Sequence, residues 1–322
     1  MLLLILSSSV QRSVYKDLVM LLQKDKFLTV KQLKAKGEIS FEQDCLVEGG
    51  SLDQMHNGTA YREVRQYQSN HHLVRFYFVT RIYSRYMQTI MQDFRSGLKP
   101  DILIINSCVW DISRYNSNWT KDYKENLHQF FNELKGTLPV ESLVIWNLTM
   151  PVGKRIKGGF LVLDKCKATT LQYCYDVVEA NFYSGTLANA YGMDVLDLHY
   201  QFRFLLHHRA RDGVHWNAIA HRRVSTHLLL HTAQAWGVKM LSPLMSVGEW
   251  KDCVLISVQC SGVICSHQVA TLYFVVHSCI SFGESQTLIV CLCVVFFFKE
   301  HTIAINEKPA KQRNNINPGN HI

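Results

Sequence analysis

No basic residue precedes the first apolar run, Met1-Leu-Leu-Leu-Ile-Leu6, and no small-x-small cleavage motif follows it. That run is also shorter than the ~7–15 apolar residues of a signal core, so no signal peptide is read and an intracellular, cytoplasmic location is expected. Nowhere is there an apolar run of the ~20 residues that a membrane-crossing helix requires. The nearest, Leu288 to Phe298, has eleven; with Glu284 the one charge between Cys253 and Phe298, a longer interrupted span or contact of residues 288–298 with a membrane surface is the alternative to the plainer reading of no membrane segment. The cysteines lack paired zinc-ligand spacing and, without an export signal, are expected as thiols. Three Asn-x-Thr sequons, at Asn57, Asn118 and Asn147, are accordingly read as chance matches. No internal repeat occurs.

What the chain does have is apolar content. Its 322 residues are 48% hydrophobic, which excludes wholesale disorder, collagen and small disulfide scaffolds. A split near residue 240 hides in that average. Residues 241–322 hold six of the ten cysteines and balanced charge, so the +8 excess belongs wholly to residues 1–240. Past 240 no sustained helical or strand period is seen, and the end from Lys308 onward is polar and turn-rich. The expected organisation is one α/β domain, 1–240, and a cysteine-rich apolar tail of low order, 241–322, with a polar disordered end.

Within 1–240, short apolar runs alternate with helical periodicity, the pattern of a mainly parallel sheet. Five strands are predicted: 2–6, 73–79, 101–106, 143–146 and 193–198. Between them lie helices near 10–21 (Val10, Val14, Leu18 and Leu21 on one face), 83–96, 123–136, 165–190 and 217–236. The long segment 25–70, rich in glycine turns, reads as a loop that carries a site or a lid.

Ligands of an open parallel sheet sit beyond the carboxyl ends of its strands. After the first strand comes Ser7-Ser8-Ser9 at a strand-to-helix turn, which exposes a hydroxyl beside a helix N-terminus; Ser8 is positioned to cap that helix. After the third comes Asn106, whose amide could donate to a developing oxyanion or satisfy backbone groups at the strand end. After the fifth comes Asp212-Gly-Val-His215, where a carboxylate one turn from an imidazole can fix its tautomer and stabilise the imidazolium. A serine hydroxyl is a poor nucleophile without such a base, and general-base help is worth roughly 10²–10⁴ in rate. The candidate set is Ser9 as nucleophile, His215 as base, Asp212 as orienter and Asn106 at the oxyanion. Trp110 and Trp216 are candidate walls of an acyl pocket, or core.

The stretches Ser9–Asp17, Phe41–Gly50, Asn106–Tyr115, Val178–Tyr183 and Asp212–Trp216 together resemble the PC-esterase domain-containing protein 1 family, of the GDSL/SGNH hydrolase-like superfamily. The resemblance covers almost three quarters of the chain. It implies a three-layer α/β/α, flavodoxin-like SGNH fold, no cofactor or metal, and acyl-esterase activity on an unidentified O-acylated small molecule, glycan or glycoprotein. By motif position it assigns Ser9, Asp212 and His215 to catalysis, and Asn106 to the oxyanion. Where the family pattern reads Gly-Asp-Ser, this chain reads Ser7-Ser8-Ser9. A serine in place of that glycine would be strained by very roughly 1–2 kcal/mol if the turn needs positive φ. The alternative function is therefore a catalytically impaired pseudoenzyme or binding module, for instance for an anionic partner such as RNA.

Two further features bear on partners. Seven histidines between His199 and His231 fit no metal-ligand spacing and read as a solvated, partly basic surface. Arg75, Arg81, Arg85 and Arg114, near the expected top of the sheet, could bind phosphates, although no nucleic-acid motif accompanies them and a solvated face is the plainer reading.

Overall fold

The computed structural model of the chain describes residues 1–56, 58–157, 161–162 and 167–238, and beyond these the backbone of five short strands between 254 and 289. Strand β1 (Leu2–Ser7) is nearly all leucine and isoleucine because it is central: it pairs in parallel with β4 (Leu73–Phe78) on one side and β5 (Ile102–Ile105) on the other. Parallel β6 (Leu143–Asn147) and β7 (Asp194–Leu196) continue outward from β5. The parallel order β4-β1-β5-β6-β7 is the doubly wound arrangement whose switch point lies beside β1.

Alternation along β1 feeds two cores. Leu4 and Leu6 meet α3 (Arg85–Arg95), α4 (Trp119–Thr137) and α5 (Lys167–Ala190), through Met91, Phe131 and Val177 among others. Leu3 and Ile5 meet α1 (Ser9–Lys24) and α7 (Ala218–Ala235), through Val14, Leu18, Val224 and Leu228. This is a three-layer α/β/α fold. The expected apolar face of α1 is widened: every residue from Gln11 to Leu21 is buried, charged ones included.

The sheet has seven strands rather than the five read from the sequence. Segment 25–70 is not a plain loop: it forms α2 (Val30–Lys34), β2 (Cys45–Gly49) and β3 (Glu63–Gln68), with β2 antiparallel to β3 and β3 antiparallel to β4. The reason for the miss is physical. The β3 sequence Glu-Val-Arg-Gln-Tyr-Gln buries Glu63 and Arg65, so its inward face carries no apolar pattern, and a bulge between Leu46 and Glu48 breaks the period of β2.

Those charges are matched. Arg65, fully buried, donates to both carboxylate oxygens of Asp44 (2.8 and 2.7 Å), to Glu63 (3.2 Å) and to the Glu38 carbonyl (2.7 Å). Arg12 of α1 donates to Glu63 at 2.7 Å, Tyr15 to Asp44 at 2.9 Å, and Lys16 to Glu38 and the carbonyls of Gln32 and Ala35. Burial alone would raise the Glu63 pKa, but the adjacent Arg12, with Tyr61 and Arg65, holds it below the ordinary value. The 25–70 segment is thus fastened to α1 by paired buried ions. Arg222 of α7 closes the opposite side, donating to Asp17 (3.0 Å), Asp25 (2.6 Å) and the Lys26 carbonyl (2.7 Å).

Beyond residue 238 the described backbone is five short strands. β8 (Val254–Gln259) and β11 (Tyr273–Ile280) pair antiparallel, β12 (Leu288–Ile289) joins β11, and β9 (Val263–Cys265) pairs with β10 (Gln268–Ala270). These runs are rich in Val, Ile and aromatic residues, which favour extended backbone without needing alternation. None joins the seven-stranded sheet. The expectations for the polar end and for membrane contact by 288–298, Leu288–Ile289 apart, lie outside the described residues. Among the described residues no helix is long and apolar enough to cross a membrane.

Candidate active site

β1 ends at Ser7 and α1 begins at Ser9, so the three serines occupy the switch point of the sheet. Ser7 is a buried strand residue without positive φ, and its hydroxyl donates to Asn106 Oδ1 at 3.1 Å. The strain that a serine would suffer in place of glycine therefore does not arise. Ser8 stands at the N-cap with extended backbone (φ −95°), but its side chain makes no cap hydrogen bond, contrary to the sequence reading, and no acidic residue lies in the first turn. The first amides of α1, beside Ser9, are left without a side-chain acceptor.

Ser9 Oγ lies 2.8 Å from His215 Nε2, and His215 Nδ1 lies 2.7 Å from Asp212 Oδ2. The other carboxylate oxygen accepts the backbone N–H groups of Val214 (2.9 Å) and His215 (3.0 Å). Desolvation would raise the Asp212 pKa; the His215 hydrogen bond and these two amides outweigh it and hold the carboxyl far below its usual range. Asp212 and His215 sit in a tight hairpin in which Ala210 N donates to His215 O (2.7 Å) and Arg209 bridges to Trp216. Gly213 is indispensable to it: its φ is +84° and a Cβ would lie 2.2 Å from the Arg155 carbonyl. The structure thus brings Ser9, Asp212 and His215 together from two distant parts of the chain.

Asn106 is placed close by but is otherwise engaged. Its amide donates to the Asn147 carbonyl (2.9 Å) and to Thr149 Oγ1 (3.1 Å), while its oxygen accepts from Ser7. Thr149 is in turn held by Asn181, which accepts from its N–H and donates to its C=O, each at 2.8 Å, and by His199 at 2.9 Å. The loop after Asn106 closes on Asp111, whose carboxylate accepts from Ile82 N (3.0 Å), Ser107 Oγ and the Cys108 amide. Cys108 within it has φ +123°, in the left-handed half of the map, and its thiol pKa is pushed up by complete burial. Nothing in the sequence period marks the conformation of Cys108 or the burial of Asp111, which depend on the loop's tertiary hydrogen bonds.

A cleft of about 640 Å³ opens on the triad. Trp110, Trp216, Phe78 and Tyr61 wall it, and α2 adds Val30 and Leu33, so both tryptophans line the cleft and segment 25–70 supplies one side. The histidine-rich stretch is not one surface: His215 is in the triad, His199 is tied to Thr149, and His221 is buried, with a pKa lowered to about 3 by desolvation. Arg75 is a β4 residue beside Leu4 rather than at the sheet top, and Arg114 stacks over Tyr115. Asn147 is fully buried.

A mainly parallel, flavodoxin-like sheet with a Ser, Asp and His set beyond its carboxyl edge defines an esterase-like fold. The chain is 56% identical over 238 residues to mouse PC-esterase domain-containing protein 1A, covering 73% of this chain and 53% of that one. It is 54% identical over 249 residues to human PC-esterase domain-containing protein 1B, covering 76% and 57%. The chain belongs to the PC-esterase domain-containing protein 1 family, and it spans about half the length of the relatives it matches. No family model matches it. Among solved structures it is similar to an acetyl xylan esterase (15% identity, 72% of this chain and 99% of that one, TM-score 0.44) and to a putative SGNH hydrolase from Slackia heliotrinireducens (14%, 72% and 98%, 0.43).

Proposed function

We propose that the chain is a serine acyl esterase that cleaves O-acyl esters through an acyl-enzyme on Ser9. The observation that carries this reading is the continuous chain of hydrogen bonds from Ser9 Oγ to His215 Nε2 and from His215 Nδ1 to Asp212. His215 removes the Ser9 proton as Oγ attacks the ester carbonyl, and Asp212 stabilises the imidazolium. The oxyanion is received by the uncapped amides at the start of α1, where the helix dipole also favours negative charge. Asn106, the side-chain candidate for that hole, has both amide protons committed, so it serves by tying the carboxyl ends of β1, β5 and β6 together beside the nucleophile. Collapse of the tetrahedral intermediate expels the alcohol, protonated by His215. Water, deprotonated by the same imidazole, then attacks the acyl-Ser9 carbonyl and releases the carboxylic acid.

The substrate is an O-acylated small molecule or glycan, its acyl group lying against Trp110, Trp216 and Phe78. Replacement of Gly-Asp by Ser7-Ser8 leaves the reacting geometry assembled, which supports an active enzyme over an impaired one. Hydrolysis of p-nitrophenyl acetate by the purified chain tests the reading: turnover abolished by Ser9→Ala and by His215→Ala supports it, whereas turnover unaffected by either, or no turnover at all, overturns it.

A further inference from the structure

A second cavity, of about 200 Å³, lies beside the catalytic cleft and has no part in the reaction just described. Its lining includes Arg62, Arg81 and Arg85 together with Thr59, Thr80 and Ser84, and contains no carboxylate. Three arginines line one hollow, and a cluster of cationic side chains of this kind is stabilised by a bound anion. Among the described residues neither Arg81 nor Arg85 forms an ion pair within 4 Å; the acidic group that Arg81 acts on electrostatically is the buried Asp111, which lines the adjoining hollow rather than this cavity. Arg62 has only a loose, half-exposed pairing with Glu48, at 3.9 Å.

Local structure holds these groups in place. Arg62 lies over the Tyr86 ring, 4.5 Å from its centroid. Arg81 is braced by the carbonyls of Asp111 (3.1 Å) and Tyr115 (3.0 Å), which use two of its donors and leave others. Arg85 opens α3, an eleven-residue helix whose N-cap Ser84 accepts from Met87 N, so the positive end of the helix adds to the same field. Planar guanidinium groups suit the paired oxygens of phosphate better than they suit any neutral group.

The cavity also adjoins the reacting centre. It shares Tyr61 with the 640 Å³ cleft, and shares Thr80 and Arg81 with a small hollow lined by Ser8 and by Asn106 to Asp111. We infer that this arginine cavity binds a phosphate-class oxyanion, and that this oxyanion is carried by the ester substrate whose acyl group reaches Ser9. The second half of that statement rests on the esterase reading; the first does not. The substrate class is then an O-acyl ester bearing a phosphate on its alcohol portion, which enters as an anion and leaves as a deacylated phosphorylated alcohol.

Two measurements test it on the whole chain. In the first, inorganic phosphate is titrated against sodium chloride of equal ionic strength while thermal unfolding is followed. At about ten times its dissociation constant phosphate should raise the midpoint by about 3 °C, and the rise should vanish in the double variant Arg62→Glu/Arg85→Glu but persist in Lys121→Glu, a surface control. No rise, or a rise that survives the double variant, overturns the site. In the second, 4-acetoxyphenyl phosphate is compared with 4-methoxyphenyl acetate, each corrected for its rate with hydroxide. The phosphorylated ester should have a kcat/KM about tenfold higher, with the ratio falling as salt is added and collapsing to near one in the double variant. A ratio near one in the parent overturns the substrate assignment. Phosphate binding without turnover of either ester overturns the esterase reading while the site stands.

Discussion

Removing the Asp44 carboxylate should unfold the chain more readily than almost any other single side-chain change outside the apolar core. Arg65 is fully buried, and its Nε and one terminal nitrogen both end on Asp44, at 2.8 and 2.7 Å. The same carboxylate accepts Tyr15 Oη at 2.9 Å and Phe41 N at 2.6 Å. Asp44→Ala therefore leaves a guanidinium with excess charge in the interior and two further donors unmatched, and breaking a buried pair from one side costs about 3–5 kcal/mol. For a domain of this size that corresponds to a fall of roughly 6–20 °C in the unfolding midpoint. The proper contrast is Glu48→Ala, which disrupts the half-exposed Arg62 pairing and should cost less than about 1 kcal/mol. Asp44→Asn, which keeps an acceptor for Phe41 N, should fall between them. The assay is equilibrium urea unfolding followed by far-ultraviolet circular dichroism. If Asp44→Ala unfolds within about 1 kcal/mol of Glu48→Ala, the claim that buried ions fasten segment 25–70 to α1 is wrong.

Three further outcomes follow from the geometry. Burial raises the folded-state pKa of Asp111 above the ~3.9 of an unfolded chain, so its ionisation weakens the fold as pH climbs through that interval; the stability of Asp111→Asn relative to the parent should therefore improve from pH 4 to 7, and a pH-independent difference in urea midpoints would contradict this. Gly213→Ala places a methyl 2.2 Å from the Arg155 carbonyl at a φ of +84°, and should cost at least about 2 kcal/mol in unfolding free energy while displacing Asp212 and His215 and removing ester turnover. Asp212→Asn should lower kcat about 10⁴-fold with little change in KM, since the imidazole loses its tautomer and its counter-charge; a loss under tenfold would remove Asp212 from the mechanism.

The parallel half of the fold could be read from the chain because its physics is one-dimensional. Leu2 to Leu6 and Ile102 to Ile105 are unbroken apolar runs, as strands covered on both faces must be, and the period of α4 is carried by residues that all face one core. The antiparallel half was hidden because Glu63, Arg65 and Asp44 occupy interior positions that pattern reasoning reserves for apolar groups, and their partners are far away in sequence. Ser9 and His215 could be paired in advance because both follow strands of one sheet edge, which brings residues 206 positions apart to 2.8 Å. Asn106 shows the limit of that logic: its place after β5 was legible, but whether its amide faces a ligand or Thr149 depends on a side-chain network that no spacing encodes. The φ of Cys108 and the convergence of Arg62, Arg81 and Arg85 are likewise tertiary facts.

The central claim is that Ser9 is a nucleophile activated by His215. Incubation of the purified chain with a fluorophosphonate, followed by mass spectrometry of the intact protein and of its N-terminal peptide, tests it most directly. The account predicts a single phosphonyl adduct on Ser9, absent from Ser9→Ala and strongly slowed in His215→Ala. An unmodified chain, or an adduct on another serine that survives Ser9→Ala, would contradict it.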